Sequence, residues 1–190
     1  VSTILVDKPI LLSHEIGFTL VELLLSLTVI AIVLSLTAPS LKEIIMNNRI
    51  SAQTDALSGA LSYARNTAIS QNIDVLVCPS STSGSTNCGA TWQNGWIIVG
   101  QTSTGGNRLL QSFFTGPNDP ILSGVAIAGV TANSVTFDSR GIATTHAHFK
   151  ICDSRGAAFA RSVEVLPTGF IQTSATTGVA VWDDSVLTCP

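Results

Sequence analysis

The apolar positions of this chain fall into distinct regimes. From Phe18 to Ala38 the sequence FTLVELLLSLTVIAIVLSLTA runs for 21 residues with a single charge, Glu22. As a helix this run would be about 31 Å long, the thickness of a bilayer core. It is apolar all round, whereas a helix on the surface of a soluble domain carries one apolar stripe. The run therefore predicts a membrane helix rather than a buried core helix. After Pro39 the pattern changes to three–four spacing, with apolar or small residues at Leu41, Ile44, Ile45, Ala52, Ala56, Leu57, Ala60, Leu61, Ala64 and Ala68. That spacing predicts an amphipathic helix over 40–72 whose Ala/Leu half packs on the following domain. It either starts anew after Pro39, with Ser40 as cap and Glu43 in the capping-box position, or continues through a proline kink. Gly59 weakens this helix by about 1 kcal/mol and is expected to permit close packing. Arg49 and Arg65 are expected on solvated faces or in local ion pairs.

From about residue 73 to 190 short apolar runs alternate with Gly, Ser, Thr, Asn, Asp and Pro. Strands are predicted at Ile73–Cys78, Gly95–Gly100, Arg108–Phe114, Val125–Ala128, Ser134–Phe137, His148–Cys152, Ser162–Val165 and Phe170–Thr173. Ser80–Asn87 and Thr115–Ser123 read as polar loops, and Asp153-Ser154-Arg155-Gly156 as a hairpin turn with Gly156 at positive φ. Trp92 and Trp96 are expected in core or sheet positions. Without helices between the strands the pattern implies antiparallel sheets packed on the helix, an α+β fold.

Composition narrows the function. The 190 residues are 45% hydrophobic and 11% charged, with net charge −3. This excludes a disordered chain and a strongly basic nucleic-acid binder. Arg140, Arg155 and Arg161 remain as candidates for a local basic patch. No P-loop, dinucleotide loop or G-x-S-x-G elbow is present. His146 and His148 alternate along what reads as a strand edge, and His14 lies before the apolar run. Two histidines are too few to indicate a metal or an acid–base pair, so no catalytic residue, cofactor or metal is expected. The cysteines are Cys78, Cys88, Cys152 and Cys189. An even number in an exported domain suggests disulfides, with three connectivities possible. We take Cys78–Cys88, which brackets one loop, with Cys152–Cys189, which pins the C-terminus. A zinc–thiolate site would need C-x-x-C spacing, which is absent.

The first 17 residues, VSTILVDKPILLSHEIG, fit an ordinary cleaved signal poorly, because the long apolar run follows them without a small-residue exit. Glu22 is the odd residue, since a carboxylate near the end of a membrane helix is costly and usually functional. Cleavage between Gly17 and Phe18 would place a new α-amine about one turn from it, on this helix or a neighbour's. Gly17-Phe18-Thr19-Leu20-Val21-Glu22 followed by the apolar run resembles the class III signal of type IV pilins and type II secretion pseudopilins. The resemblance implies a leader over 1–17, removal by a prepilin peptidase, and N-methylation of Phe18. It also implies a membrane and filament-core helix over 18–39, with Glu22 registering the subunit against its neighbour's amine and Pro39 matching the family's proline.

The globular part narrows the resemblance. Val77-Cys78-Pro79-Ser80, Cys88, Trp92, Gly95-Trp96-Ile97-Ile98-Val99 and Arg108-Leu109-Leu110 are similar to the minor pilin and minor pseudopilin subfamily. So are Val135-Thr136-Phe137, Arg140-Gly141, the run Phe149–Gly156 and Arg161-Ser162-Val163-Glu164-Val165. This implies a structural subunit that helps initiate a type IV pilus at or near its tip, or else a minor pseudopilin of a secretion system. Its partners would be other minor pilins and the major pilin, through the N-terminal helix, together with the peptidase and an inner-membrane assembly platform. The chain would sit in the inner membrane with a periplasmic domain, then move to the filament. DNA-uptake members of this subfamily place arginines after a glycine near the C-terminus. Here Gly169-Phe170-Ile171-Gln172 has none, and Thr173–Asp184 has no basic residue, which argues against DNA as a ligand and leaves a pilus DNA-uptake receptor as the weakest of the three readings.

Removal of Val1–Gly17 leaves 173 residues with ten acidic and eight basic side chains. The intact mass of the exported protein is expected to show that loss plus one methyl group; an unshortened mass would overturn the cleavage.

Overall fold

The long helix and the sheets are built from the residue patterns above, with several changes of detail. The computed structural model describes residues 17–82, 85, 87–102, 106–116, 120–127, 130–131 and 133–189. Residues 1–16 of the expected leader, with Lys8 and His14, lie outside the described residues, as do Ala128 and parts of both expected polar loops. The chain divides into two compact units, Val1–Lys42 and Glu43–Pro190. One helix, α1, is assigned over Leu20–Gln71. It does not begin again at Ser40, so Ser40 and Glu43 form no cap.

In the first unit α1 is apolar on every side between Glu22 and Leu34, and uncovered. Its large side chains from Phe18 to Leu34 are 53–78% exposed. The hydroxyls of Ser26, Thr28 and Ser35 donate to the carbonyls of Leu23, Leu25 and Ile32 at 2.8, 2.7 and 2.7 Å. Each polar group is thereby closed onto its own turn, so these side chains interrupt the apolar surface little.

In the second unit α1 buries Ile50, Thr54, Leu57, Ala60, Leu61, Ala64, Thr67 and Ala68 along one stripe. Leu41, Ile44, Ile45 and Ala52 are exposed instead of joining it. The small alanines at 60, 64 and 68 let the sheet side chains approach closely.

Among the described residues nine strands follow: β1 Asp74–Pro79, β2 Trp96–Gln101, β3 Asn107–Phe113, β4 Ile121–Ile127, β5 Val130–Thr131, β6 Val135–Phe137, β7 Ala147–Cys152, β8 Arg161–Val165 and β9 Ile171–Thr173. They form a four-stranded sheet ordered β3-β2-β1-β6 and a five-stranded sheet ordered β5-β4-β7-β8-β9, with every pair antiparallel. β4 takes in Ile121–Ser123, which the sequence pattern assigned to a loop; Pro120 and Gly124 mask its alternation. β7 is interior, between β4 and β8, so His148 is not on an edge.

One core joins the helix stripe to both sheets through Val75, Val77, Ile98 and Phe137 of the first and Phe149, Ile151, Val163 and Val165 of the second. Trp92 and Trp96 are both buried in it; Trp92 meets Phe149 edge-on and Trp96 stacks on Phe113. The turn after β7 places Gly156 at φ +87°. Gly169 is needed for another reason: it has φ +78°, and a Cβ there would lie 1.9 Å from the Gly141 carbonyl oxygen. Arg65 reaches the same oxygen with Nε at 3.0 Å, tying α1 to the turn after β6.

Gly59 does not serve close packing. A Cβ added there meets nothing within 4 Å, and the residue lines an open groove of about 580 Å³ with Tyr63, Trp96, Leu110 and Phe113. Gly59→Ala is therefore expected to stabilise the protein by up to about 1 kcal/mol through helix propensity. Leu61→Ala is expected to destabilise it by about 2–5 kcal/mol through a core cavity. Chemical denaturation measures both, and a destabilising Gly59→Ala would contradict the open groove.

Candidate functional site

At the start of α1, Thr19 is the cap. Its carbonyl accepts from Leu23 N at 3.1 Å, and its hydroxyl accepts from Glu22 N at 3.2 Å. Glu22 thus stands three residues after a capping threonine, in the first turn. A carboxylate there interacts favourably with the helix dipole, and the cap fixes the backbone from which it projects. Gly17 and Phe18 precede the helix and are exposed. Gly17, Phe18 and the Glu22 carboxylate therefore lie on one short, exposed segment. Pro39 is within α1.

The cysteines pair as Cys78–Cys88 and Cys152–Cys189, with Cα separations of 5.5 and 5.9 Å. The first links the end of β1 to the loop before Trp92; the second holds the C-terminal segment to the end of β7.

The three arginines do not form a common patch. Arg140 follows β6 and pairs with Asp138 at 2.8 Å. The Asp138 carboxyl is held below its ordinary 3.8 by the Ile142 amide and then by Arg140. Arg155 is mostly buried against Asp153 at 2.6 Å, donates to Asn47 on α1, and lies over the Phe159 ring. Arg161 donates to the Ser174 carbonyl at 3.2 Å. Arg155 and Arg161 thus brace the domain.

A model of the prokaryotic N-terminal methylation motif matches residues 12–38. A model described as type II transport protein GspH matches residues 53–169, more than half of the chain. The chain belongs to the GspH family. The matched part of this GspH-family chain starts within the buried half of α1 and ends at Gly169, before β9.

Solved structures share the fold. The type IV minor pilin FimU of Pseudomonas aeruginosa is 22% identical with a TM-score of 0.51, the match covering 67% of this chain and 89% of that one. The minor pseudopilin EpsH from the type 2 secretion system of Vibrio cholerae is 13% identical with a TM-score of 0.50, covering 67% of this chain and 97% of that one. No curated protein matches the chain. The GspH-family chain therefore has the pilin-like architecture, a long N-terminal helix packed against antiparallel sheets.

The second sheet also holds a polar cluster that the sequence pattern does not reveal. His146 Nε2 and His148 Nε2 lie 2.7 and 3.1 Å from the same oxygen of Glu164, Oε1. Gln172 donates to the other oxygen, Oε2. Trp182 stacks on His148 with ring centroids 4.1 Å apart. Burial pushes the His148 imidazole below 6.5, against the pull of Glu164. Burial pushes the Glu164 carboxyl up, but hydrogen bonds from His146, Gln172 and His148 outweigh it and hold the group below 4.5. The missing signal was strand register, which sets Glu164 opposite both His148 and Gln172.

Arg155→Ala is expected to destabilise the domain by about 3 kcal/mol, because it strands the buried Asp153 carboxylate. Arg140→Ala, at a side chain 76% exposed, is expected to leave the unfolding midpoint nearly unchanged. Equal effects in denaturant titrations would contradict the separate environments.

Proposed function

We propose that this chain is a minor pilin, a structural subunit that helps initiate a type IV pilus and is incorporated at or near its tip. The observation that carries this reading is the uncovered apolar half of α1, headed by a capped turn with one carboxylate. An 18-residue window of α1 has mean hydropathy 2.4 and is wholly unburied within the chain, so it needs lipid or other subunits around it. In the proposed sequence a prepilin peptidase cuts after Gly17 and Phe18 is methylated. The helix stays in the inner membrane with the domain in the periplasm until the assembly platform moves it into the filament. There Glu22 faces the Phe18 amine of a neighbouring pilin, which offsets the penalty of a carboxylate in an apolar setting.

Two observations favour protein partners over DNA. Arg155 and Arg161 are engaged within the domain. Gly169 is required by the close Gly141 carbonyl, and no arginine follows it. The second reading is a minor pseudopilin of a type II secretion system, favoured by the description of the matching family model.

Glu22→Ala, expressed at normal level, tests both. Loss of surface pili and twitching supports the pilin reading. Loss of protein secretion with normal pili supports the pseudopilin. Unchanged piliation and secretion would sink the assembly role of Glu22.

A further inference from the structure

We infer that His146, His148 and Glu164 form a binding site for a divalent transition-metal ion of the zinc class. The three donor atoms lie within 4.8 Å of one another. Both imidazoles converge through Nε2 on a single oxygen, Glu164 Oε1, at 2.7 and 3.1 Å. Tetrahedral zinc with ligand bonds near 2 Å needs donors about 3.3 Å apart. The two imidazole–carboxylate separations would widen by about half an ångström or less to reach that spacing, and the two imidazole nitrogens, within 4.8 Å of each other, would settle at the same distance by side-chain rotation. On binding, the Nε2 protons that now bond to Oε1 must leave those nitrogens, each ring shifting its proton to Nδ1 through water so that both Nε2 lone pairs face the ion.

The surroundings are organised for such an ion. Glu164 is the middle of a cross-strand row, paired with His148 of β7 on one side and Gln172 of β9 on the other. Gln172 occupies Oε2, which leaves Oε1 facing the histidines; metal-ligating carboxylates are commonly oriented by a hydrogen bond of this kind. The Glu164 side chain is 5% exposed and that of His146 is 33% exposed, so the site is deep on one side and open to water on the other. The open side leaves a fourth position for water. Trp182 forms the wall behind His148, and the Asp183 carboxylate acts electrostatically on the same ring. Two imidazoles with one carboxylate select zinc, copper or nickel over calcium and magnesium, which prefer all-oxygen shells. The cysteines are all in disulfides, so thiolates do not compete within the chain. The site joins β7, β8 and the C-terminal segment and does not depend on which filament the subunit enters.

The test is zinc titration of the full chain in detergent, purified without a histidine tag and stripped with chelator. Calorimetry and Trp fluorescence are the readouts. Saturable binding of one zinc per chain at micromolar concentration is expected, with cobalt giving visible absorption bands of a low-coordinate site. His146→Ala, at the partly exposed ligand, is expected to weaken binding by more than tenfold, with denaturation of the metal-free protein reporting separately the loss of its hydrogen bond to Glu164. Gln172→Ala is expected to weaken it about 10–100-fold, because the hydrogen bond that orients the Glu164 carboxylate is lost. Absence of saturable binding, or wild-type affinity in His146→Ala, would overturn the site.

Discussion

The constraint on which the structure depends is that α1 must be solvated in two different ways. Residues 20–34 carry apolar side chains on every side and bury none of them within the chain. Residues 50–68 carry one stripe, and it is buried to completion at Leu57, Leu61, Ala64 and Ala68. Hydrophobic burial at roughly 25 cal/mol per Å² makes both halves insoluble as isolated helices in water. The second half solves this intramolecularly, with two sheets. The first can solve it only with lipid or with other chains. Closing the hydroxyls of Ser26, Thr28 and Ser35 onto their own turns suits either environment, because neither offers water to spare hydrogen-bonding groups.

Once the stripe is set, the sheets have little freedom. Val75 and Val77 on one sheet and Val163 and Val165 on the other must face it, which places Leu76 and Glu164 on opposite faces from the helix. In the first sheet that outer face is apolar, with Ile97, Val99 and Cys78. In the second it is polar, carrying His148, Glu164 and Gln172. The C-terminal segment lies beside this polar face and is therefore held by specific bonds more than by a large core. Ser162 bonds the Val179 carbonyl and the Val181 amide, and Lys150 donates to the Thr188 carbonyl.

Local signals made much of this legible. The alternation at Val75, Val77 and Val163, Val165 marks strands directly, and the loop between Cys78 and Cys88 is short enough to suggest its own closure. The cap at Thr19 was not legible in the sequence, where Ser40 and Glu43 are the expected pair, because it depends on where the helix starts. What was not legible depended on packing between distant segments. Gly59 reads as a packing glycine until the sheet is seen to leave it open. Ala52 fits the helical repeat but falls just outside the stripe, which passes through Gln53 and Thr54. Arg155 reads as a surface cation in a turn, yet Asn47, 108 residues away, closes over it. The His–Glu cluster requires register between strands 16 residues apart, and neither histidine has a spacing that announces Glu164.

The two disulfides divide the stabilising work unequally. Loop-closure entropy predicts about 2.7 kcal/mol for a separation of 10 residues and about 3.8 kcal/mol for one of 37. The smaller contribution fastens a loop beside an already buried β1. The larger one fastens the C-terminal segment, whose apolar cluster among the described residues is small: Cys152, Ala160, Ala180 and Leu187, with Trp182 and Cys189 packed against it. That segment is also what covers the buried Glu164 carboxylate through Trp182 and His148. Without the Cys152–Cys189 link, the segment would keep few apolar contacts to offset its ordering entropy, and its departure would rehydrate Glu164. The covalent tie and the polar cluster are thus coupled: one holds the cover in place, and the other gives the cover something specific to bind.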